Sequence, residues 1–201
     1  MISTVVVDYQ ICNLGSVRRA FDAVGEQVRI SSSREDVERA GRVVLPGVGS
    51  FRQGMENLRK LDLIGALKDH AHEGKPLLGL CLGMQLLFDE GNEFGFENGL
   101  GLVPGNVEKM QADLPVPHIG WNQIEWTRRE KLTENIPSQS YFYFVHSYVC
   151  RPQKSEDVLG VTEYGEEFPS VIRHENIYGL QCHPEKSQQP GLTFLANFVK
   201  L

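Results

Sequence analysis

The chain has 201 residues, 41% hydrophobic and 23% charged, which suits one globular domain large enough for a sizeable core. Its 20 basic and 26 acidic residues leave a net charge of −6, which argues against a nucleic-acid or anionic-membrane surface built from clustered Lys and Arg. The opening "MISTVVVDYQ" has no basic n-region and no cleavage-like site, and no apolar run approaches transmembrane length, so a cytoplasmic protein is expected.

The first half alternates strands and helices. "STVVVDY" reads as a short apolar strand. Leu14, Val17, Phe21 and Val24 recur at helical spacing, with Gly25 as the stop. "QVRI" is a second strand, and "SSSREDVERA" a short helix with Ser33 as its cap. "RVVLPGVGS" is a strand running into a glycine-rich turn. Ser50 can cap the helix "FRQGMENLRKL", and Asp62 the helix "LIGALKDHAHEG". "KPLLGLC" is a strand and "LGMQLLFDE" a helix. From Gly99 the chain becomes strand-rich: "GLVPGNVEKM", "HIGWNQIEW", "SYFYFVHSYVC", "VLGVTEYG", "FPSVIRHE" and "IYGLQCHPE". "TEYGEEFPSVIRHENIYGLQ" reads as a β-meander, and a helix over roughly Gly191–Lys200 closes the chain. No repeat, low-complexity tract or linker divides it, so a single domain over 1–201 is expected. The class is α/β and three-layer: a mainly parallel central sheet with helices on both faces, plus added antiparallel strands. Ligands of such sheets bind beyond the carboxyl ends of the strands.

Cys12, Cys81, Cys150 and Cys182 form no CxxC pair. They are expected as reduced thiols, with no zinc or other metal site. Cys81 is set apart by its neighbours. Gly79-Leu80-Cys81-Leu82-Gly83 has the G-x-nucleophile-x-G pattern of an elbow, a strained strand-to-helix turn whose glycines let backbone pass close. The start of the following helix should favour a thiolate at Cys81, and the Leu82 N–H could face an oxyanion. The pentapeptide alone is equally compatible with a small buried cysteine packed between glycines.

A nucleophilic cysteine needs a base. Among six histidines, His70 and His72 lie on a charged helix and read as solvated, and His174 sits in the turn-like "RHEN". His118 and His146 lie in or beside strands as structural groups. His183 follows the apolar "YGLQC" and is stopped by Pro184, which places it at a strand end. Glu185, two residues on, can orient its imidazole. "HPE" alone is a weak signal; combined with the elbow it suggests a Cys81–His183–Glu185 triad. "LPGVGSF" (45–51) also ends a strand, and its glycines could turn a backbone N–H toward a developing negative charge.

Taken together, "LPGVGSF", "GLCLGMQLLF" and "HPEKS", in this order, resemble the class I, triad-type glutamine amidotransferases. "PHIGWNQI" (117–124), "YFYFVHSY" (141–148) and "QCHPEKS" (181–187) narrow the resemblance to the glutaminase subunits of imidazole glycerol phosphate synthases, over essentially the whole chain. The turn "DYQICNLGSV" departs from it, since a more glycine-rich turn is usual there, and Cys182 stands where an aromatic is common. Cys12 reads as a packing residue; Cys182 could be oxidation-sensitive and is given no catalytic role.

The resemblance implies hydrolysis of L-glutamine through a Cys81 thioester, with no cofactor. It implies oxyanion donors at Gly49 and Leu82, and glutamine binding by Gln85, Glu93 and the backbones of Gly47, Ser147 and Tyr148. Read by itself, Glu93 is equally a solvated loop charge. The implied partner is a separate (β/α)8-barrel cyclase, bound as a heterodimer, that receives the ammonia and switches the glutaminase on when it binds its nucleotide substrate. His118, Trp121, Asn122 and Lys186 match positions at or near that subunit interface. Trp121 reads either as an exposed anchor or as a core aromatic. If the Val48–Gly49 peptide rests with its carbonyl toward the site, the isolated chain would be idle. The rival readings are the glutaminase of another synthase, such as the anthranilate type, a stand-alone γ-glutamyl cysteine hydrolase, and a non-catalytic scaffold.

Overall fold

The computed structural model describes residues 4–201. Ser3, expected in the first strand, lies outside them. The first half runs β1 (Thr4–Val7), α1 (Leu14–Ala23), β2 (Val28–Ser31), α2 (Arg34–Arg39), β3 (Arg42–Gly47), α3 (Phe51–Lys60), α4 (Leu63–His72), β4 (Leu77–Cys81) and α5 (Leu82–Leu86). The second half runs β5 (Phe88–Gly91), β6 (Glu97–Asn98), β7 (Val103–Lys109), β8 (His118–Trp126), β9 (Ser140–His146), β10 (Tyr148–Pro152), β11 (Val158–Glu163), β12 (Glu167–His174), β13 (Ile177–Leu180) and α6 (Gln188–Phe198).

A nine-stranded sheet has the order β2-β1-β3-β4-β13-β12-β11-β8-β9. Its β2, β1, β3, β4 and β13 are parallel, and β12, β11, β8 and β9 continue it antiparallel. The expected meander is β11-β12-β13. Strands β1, β3 and β4 are buried at every position, which is why they read as unbroken apolar runs. Their residues alternate between two cores. Val5, Val7, Val43, Leu45 and Leu77 face a core shared with α2, α3, α4 and α5. Val6, Val44, Leu78 and Leu80 face a core shared with α1 and α6, through Phe21, Phe194 and Phe198. No helix among the described residues is long and apolar enough to cross a membrane.

Three expected elements differ. "LGMQLLFDE" is helical only to Leu86. The carbonyls of Leu86 and Leu87 accept from Leu100 and Leu102 N–H at 2.8 and 2.9 Å, so tertiary partners replace the helical ladder and β5 begins. "SYFYFVHSYVC" breaks at Ser147: β9 edges the large sheet, while β10 joins a second, four-stranded sheet of order β10-β7-β5-β6. The closing helix starts earlier than expected, at Gln188, and ends at Phe198. Of the expected caps, Ser50 accepts from Gln53 N–H at 3.4 Å. Ser33 and Asp62 precede their helices but make no side-chain capping bond; Asp62 pairs instead with Arg34 at 3.0 Å.

The junction of β4 and α5 depends on two missing side chains. A Cβ on Gly83 would lie 1.7 Å from the Leu45 carbonyl oxygen, and one on Gly79 would lie 2.6 Å from Gly83 O and Met84 N. Both obstacles are backbone, so neither can swing aside. Gly83→Ala should therefore destabilise the fold by about 3 kcal/mol or more, at or above the usual cost of overpacking. Denaturant unfolding of the variant beside the wild type checks it.

Candidate active site

The carboxyl ends of β3, β4 and β13 lie side by side. Gly47 is paired in register with Cys81, and Leu80 with Leu180. Cys81 is the last residue of β4 and immediately precedes α5, with φ 53° and ψ −109°. A non-glycine residue rarely holds that conformation, and the elbow keeps it there because glycines seat α5 directly on the strands.

His183 follows β13 on a segment tied to β9. His183 N–H donates to Tyr143 O at 2.9 Å, Tyr143 N–H donates to Ser187 Oγ at 3.0 Å, and Ser187 Oγ donates to His183 O at 2.6 Å. The imidazole Nδ1 lies 2.8 Å from Glu185 Oε1, and the two side chains are 5% and 3% exposed. A carboxylate accepts, so Nδ1 carries the proton and Nε2 is left for chemistry. Burial alone would push His183 down; the neighbouring Cys81 sulfur and the Glu185 carboxylate outweigh it and push it up to about 10. Nε2 has no close hydrogen-bond partner among the described residues, yet the Cys81 sulfur is near enough to raise the imidazole. Such contacts commonly close only in the substrate complex.

Beside the thiol lies a cleft of about 370 Å³ lined by Val48, Gly49, Cys81, Gln85, Glu93 and Tyr148, among others. Leu82 and Ser147 also line it. Gly49 has φ 109°, in the region that favours glycine, and Val48 N–H donates to Ile11 O at 2.9 Å. Glu93 is not a loose loop charge: its Oε2 accepts from Phe51 N–H at 2.7 Å, where α3 starts. Gly47, expected against the substrate, lines instead a small space next to His183 and Glu185. It is glycine because a Cβ there would lie 2.0 Å from the Tyr9 hydroxyl. A larger, open depression of about 980 Å³ along Trp126–Ser138 holds no cysteine or histidine.

A nucleophile on an elbow that opens on a cleft, with a buried His–Glu pair and a glycine-bearing strand end lining a smaller space beside it, sets the context for relatives. A family model described as "Glutamine amidotransferase class-I" matches residues 5–201. Among curated proteins, the imidazole glycerol phosphate synthase subunit HisH of Salinibacter ruber is 45% identical, covering 98% of this chain and 94% of that protein. The HisH subunit of Aquifex aeolicus is 43% identical, covering 98% and 96%. The chain belongs to the class-I glutamine amidotransferases, and within them to the HisH subunits. A crystal structure titled as a glutamine amidotransferase aligns with TM-score 0.77 at 19% identity, over 98% of this chain and 99% of that one. The structure of PurLQS from Thermotoga maritima aligns with TM-score 0.77 at 15% identity, over 99% and 98%. At those identities the two show a shared fold.

Of the residues that the resemblance to a HisH subunit places at the interface, Trp121 is 46% exposed, and Lys186 lies over the Tyr143 ring at 5.5 Å. His118 is buried, stacked on Tyr164 and Phe144, and so cannot itself present a surface. The Asn122 amide is taken up internally by Glu163 O at 2.9 Å. His70, expected to be solvated, is buried with Nε2 3.1 Å from Pro76 O, while His72 is exposed. His174 closes β12 against the Asp157 carboxylate at 3.0 Å. Sequence reading missed Gln181, whose Nε2 lies 3.7 Å from Cys81 Sγ, and Tyr9, whose buried hydroxyl has no partner among the described residues. The signal for Gln181 was its place one residue beyond a strand that runs parallel to β4.

His118 and His146 form an ordered chain. His146 Nδ1 donates to Tyr148 O at 3.0 Å, so its Nε2 accepts from His118 Nδ1 at 3.1 Å. Each ring is thus neutral, and burial pushes His146 down to about 3 and His118 to about 4. A histidine whose folded value is depressed binds its proton more readily when unfolded. The contribution of this pair to stability is therefore full above the ordinary value of 6.5 and is lost as pH falls toward about 3. For His146 alone the loss should be roughly 1.4 kcal/mol per pH unit in that window. Thermal melts from about pH 7 to about pH 4 check it, and His146→Gln should flatten the dependence.

Proposed function

We propose that this chain is the glutamine-hydrolysing subunit of an imidazole glycerol phosphate synthase in histidine biosynthesis, with Cys81 as nucleophile. Cys81 Sγ attacks the side-chain carbonyl carbon of L-glutamine held in the cleft. The oxyanion is received by the Leu82 N–H at the start of α5 and by an N–H turned inward at Gly49. His183 gives its Nε2 proton to the departing ammonia, leaving a γ-glutamyl thioester. His183 then takes a proton from water, the hydroxide attacks the thioester, and glutamate leaves. Glu185 holds Nδ1–H, so the same imidazole nitrogen serves both steps. Gln85, Glu93 and the Ser147 and Tyr148 backbones bind the amino-acid end of glutamine, with Glu93 as the ammonium partner.

Ammonia released to water is protonated and loses its nucleophilicity, so it must pass through protein. The receiver is a (β/α)8-barrel cyclase subunit, which makes imidazole glycerol phosphate and an aminoimidazole carboxamide ribotide. Its docking face includes Trp121 and Lys186, with Asn122 beside them and His118 buried behind. The observation that carries this reading is Cys81 in its strained elbow next to a buried His183–Glu185 pair joined at 2.8 Å. The cleft opens on the thiol.

Glutamate release from glutamine is the test, measured for the chain alone, with the cyclase, and with cyclase plus its nucleotide substrate. Activity should appear with the liganded cyclase and vanish in Cys81→Ala. Equal activity in all three conditions would make this a free-standing hydrolase. Function retained in Cys81→Ala would make it a scaffold.

A further inference from the structure

Gln181 stands one residue beyond β13, level with Cys81 on the neighbouring strand, because the parallel register pairs Leu180 with Leu80. Its side chain is buried, and its two polar contacts, with a third made by Gln85, form a directed chain. Gln85 Nε2 lies 3.2 Å from Tyr148 O and 3.1 Å from Gln181 Oε1, and Gln181 Nε2 lies 3.7 Å from Cys81 Sγ. The direction follows from chemistry. A backbone carbonyl only accepts, so Gln85 must turn its NH2 toward Tyr148. One remaining N–H of that group then points at Gln181, which must answer with its carbonyl. That leaves the Gln181 NH2 for the sulfur. Turning either amide over would set two acceptors or two donors against each other, so the assignment does not rest on telling N from O.

We propose that Gln181 is a further catalytic group of the glutaminase, donating an N–H to the Cys81 thiolate, with Gln85 as the positioning residue that locks its orientation. The proposal rests on the functional reading above and deepens it. Cys81 is only 6% exposed, so water solvates a charge on its sulfur poorly, and a largely buried anion needs donors. The His183 imidazolium is one, but it loses its proton to the departing ammonia during the first half-reaction. An amide cannot be deprotonated there. Gln181 therefore offers the sulfur a donor at every stage, including the breakdown of the thioester, when the C–S bonding pair returns to sulfur beside a His183 that has regained its proton from water.

Alkylation of Cys81 by iodoacetamide tests this without glutamine or partner: the thiolate forms an S–C bond and iodide leaves. The rate is followed on the Cys81 peptide by mass spectrometry across pH. The titratable groups around Cys81 are His183 with Glu185 behind it, Tyr9, Cys150 and Cys182, and in the cleft Glu93, His146 and Tyr148, and none is changed in the variants. Gln181→Met removes the donor at similar volume. The midpoint of its alkylation profile should move up by about one pH unit, about a tenfold slower reaction on the acid side. Gln85→Met, which unlocks the Gln181 amide, should move it the same way by less. A profile superimposable on wild type in Gln181→Met overturns the proposal, as does an unshifted Gln85→Met if Gln181→Met does not fold. Absence of glutaminase activity in the wild-type complex would instead sink the functional reading and leave this readout intact.

Discussion

Everything at the site depends on one strained residue. Cys81 holds φ 53°, a conformation that costs of order 1–3 kcal/mol for a side chain with a Cβ. That is about what burying one leucine contributes, so the strain survives only where the surroundings leave no alternative. Here they do not. Gly83 lies flush on the Leu45 carbonyl, Gly79 lies flush on the turn of α5, and β4 is buried at every position between β3 and β13. The helix cannot lift away from the sheet, so the chain must turn at Cys81. The turn presents the thiol at the carboxyl end of the sheet, where the neighbouring strand ends supply the other groups.

The charge chemistry follows from burial. His183 and Glu185 sit at 5% and 3% side-chain exposure, so their pairing acts with little solvent screening. Their segment would be loose by itself, since Pro184–Lys186 is only a single 3-10 turn. Ser187 prevents this by bonding both to His183 O and to Tyr143 N–H, which stitches the segment onto β9. The same β9 ends at His146, and beyond Ser147 the carbonyl of Tyr148 accepts from both His146 and Gln85. The step of the chain from the large sheet to the small one therefore places the acceptor that orders the amides around the nucleophile.

The parallel half of the fold was legible because its strands are apolar throughout and its helices alternate with them. The break between β9 and β10 was not. "SYFYFVHSYVC" carries no glycine or proline at Ser147, and the change of sheet is decided by which partner strands wait on either side. The short α5 was likewise hidden, because Leu86 and Leu87 keep helical spacing while their carbonyls are claimed by a loop fourteen and fifteen residues on, at Leu100 and Leu102. His70 looked solvated among charged neighbours, yet its face of α4 packs against Pro76. At the site, Cys81, His183 and Glu185 were readable because glycines and a proline mark their turns. Gln181 was not, since its role depends on a register between strands about a hundred residues apart.

The central claim is that chemistry passes through Cys81 as an acyl enzyme. The most direct measurement is an acid quench of the chain turning over glutamine with its liganded cyclase, followed by peptide mass spectrometry. The account predicts a glutamyl group, glutamine less ammonia, on the Cys81 peptide, absent from those of Cys12, Cys150 and Cys182. Glutamate formed at full rate with no adduct at Cys81, or with the adduct on another cysteine, would contradict it.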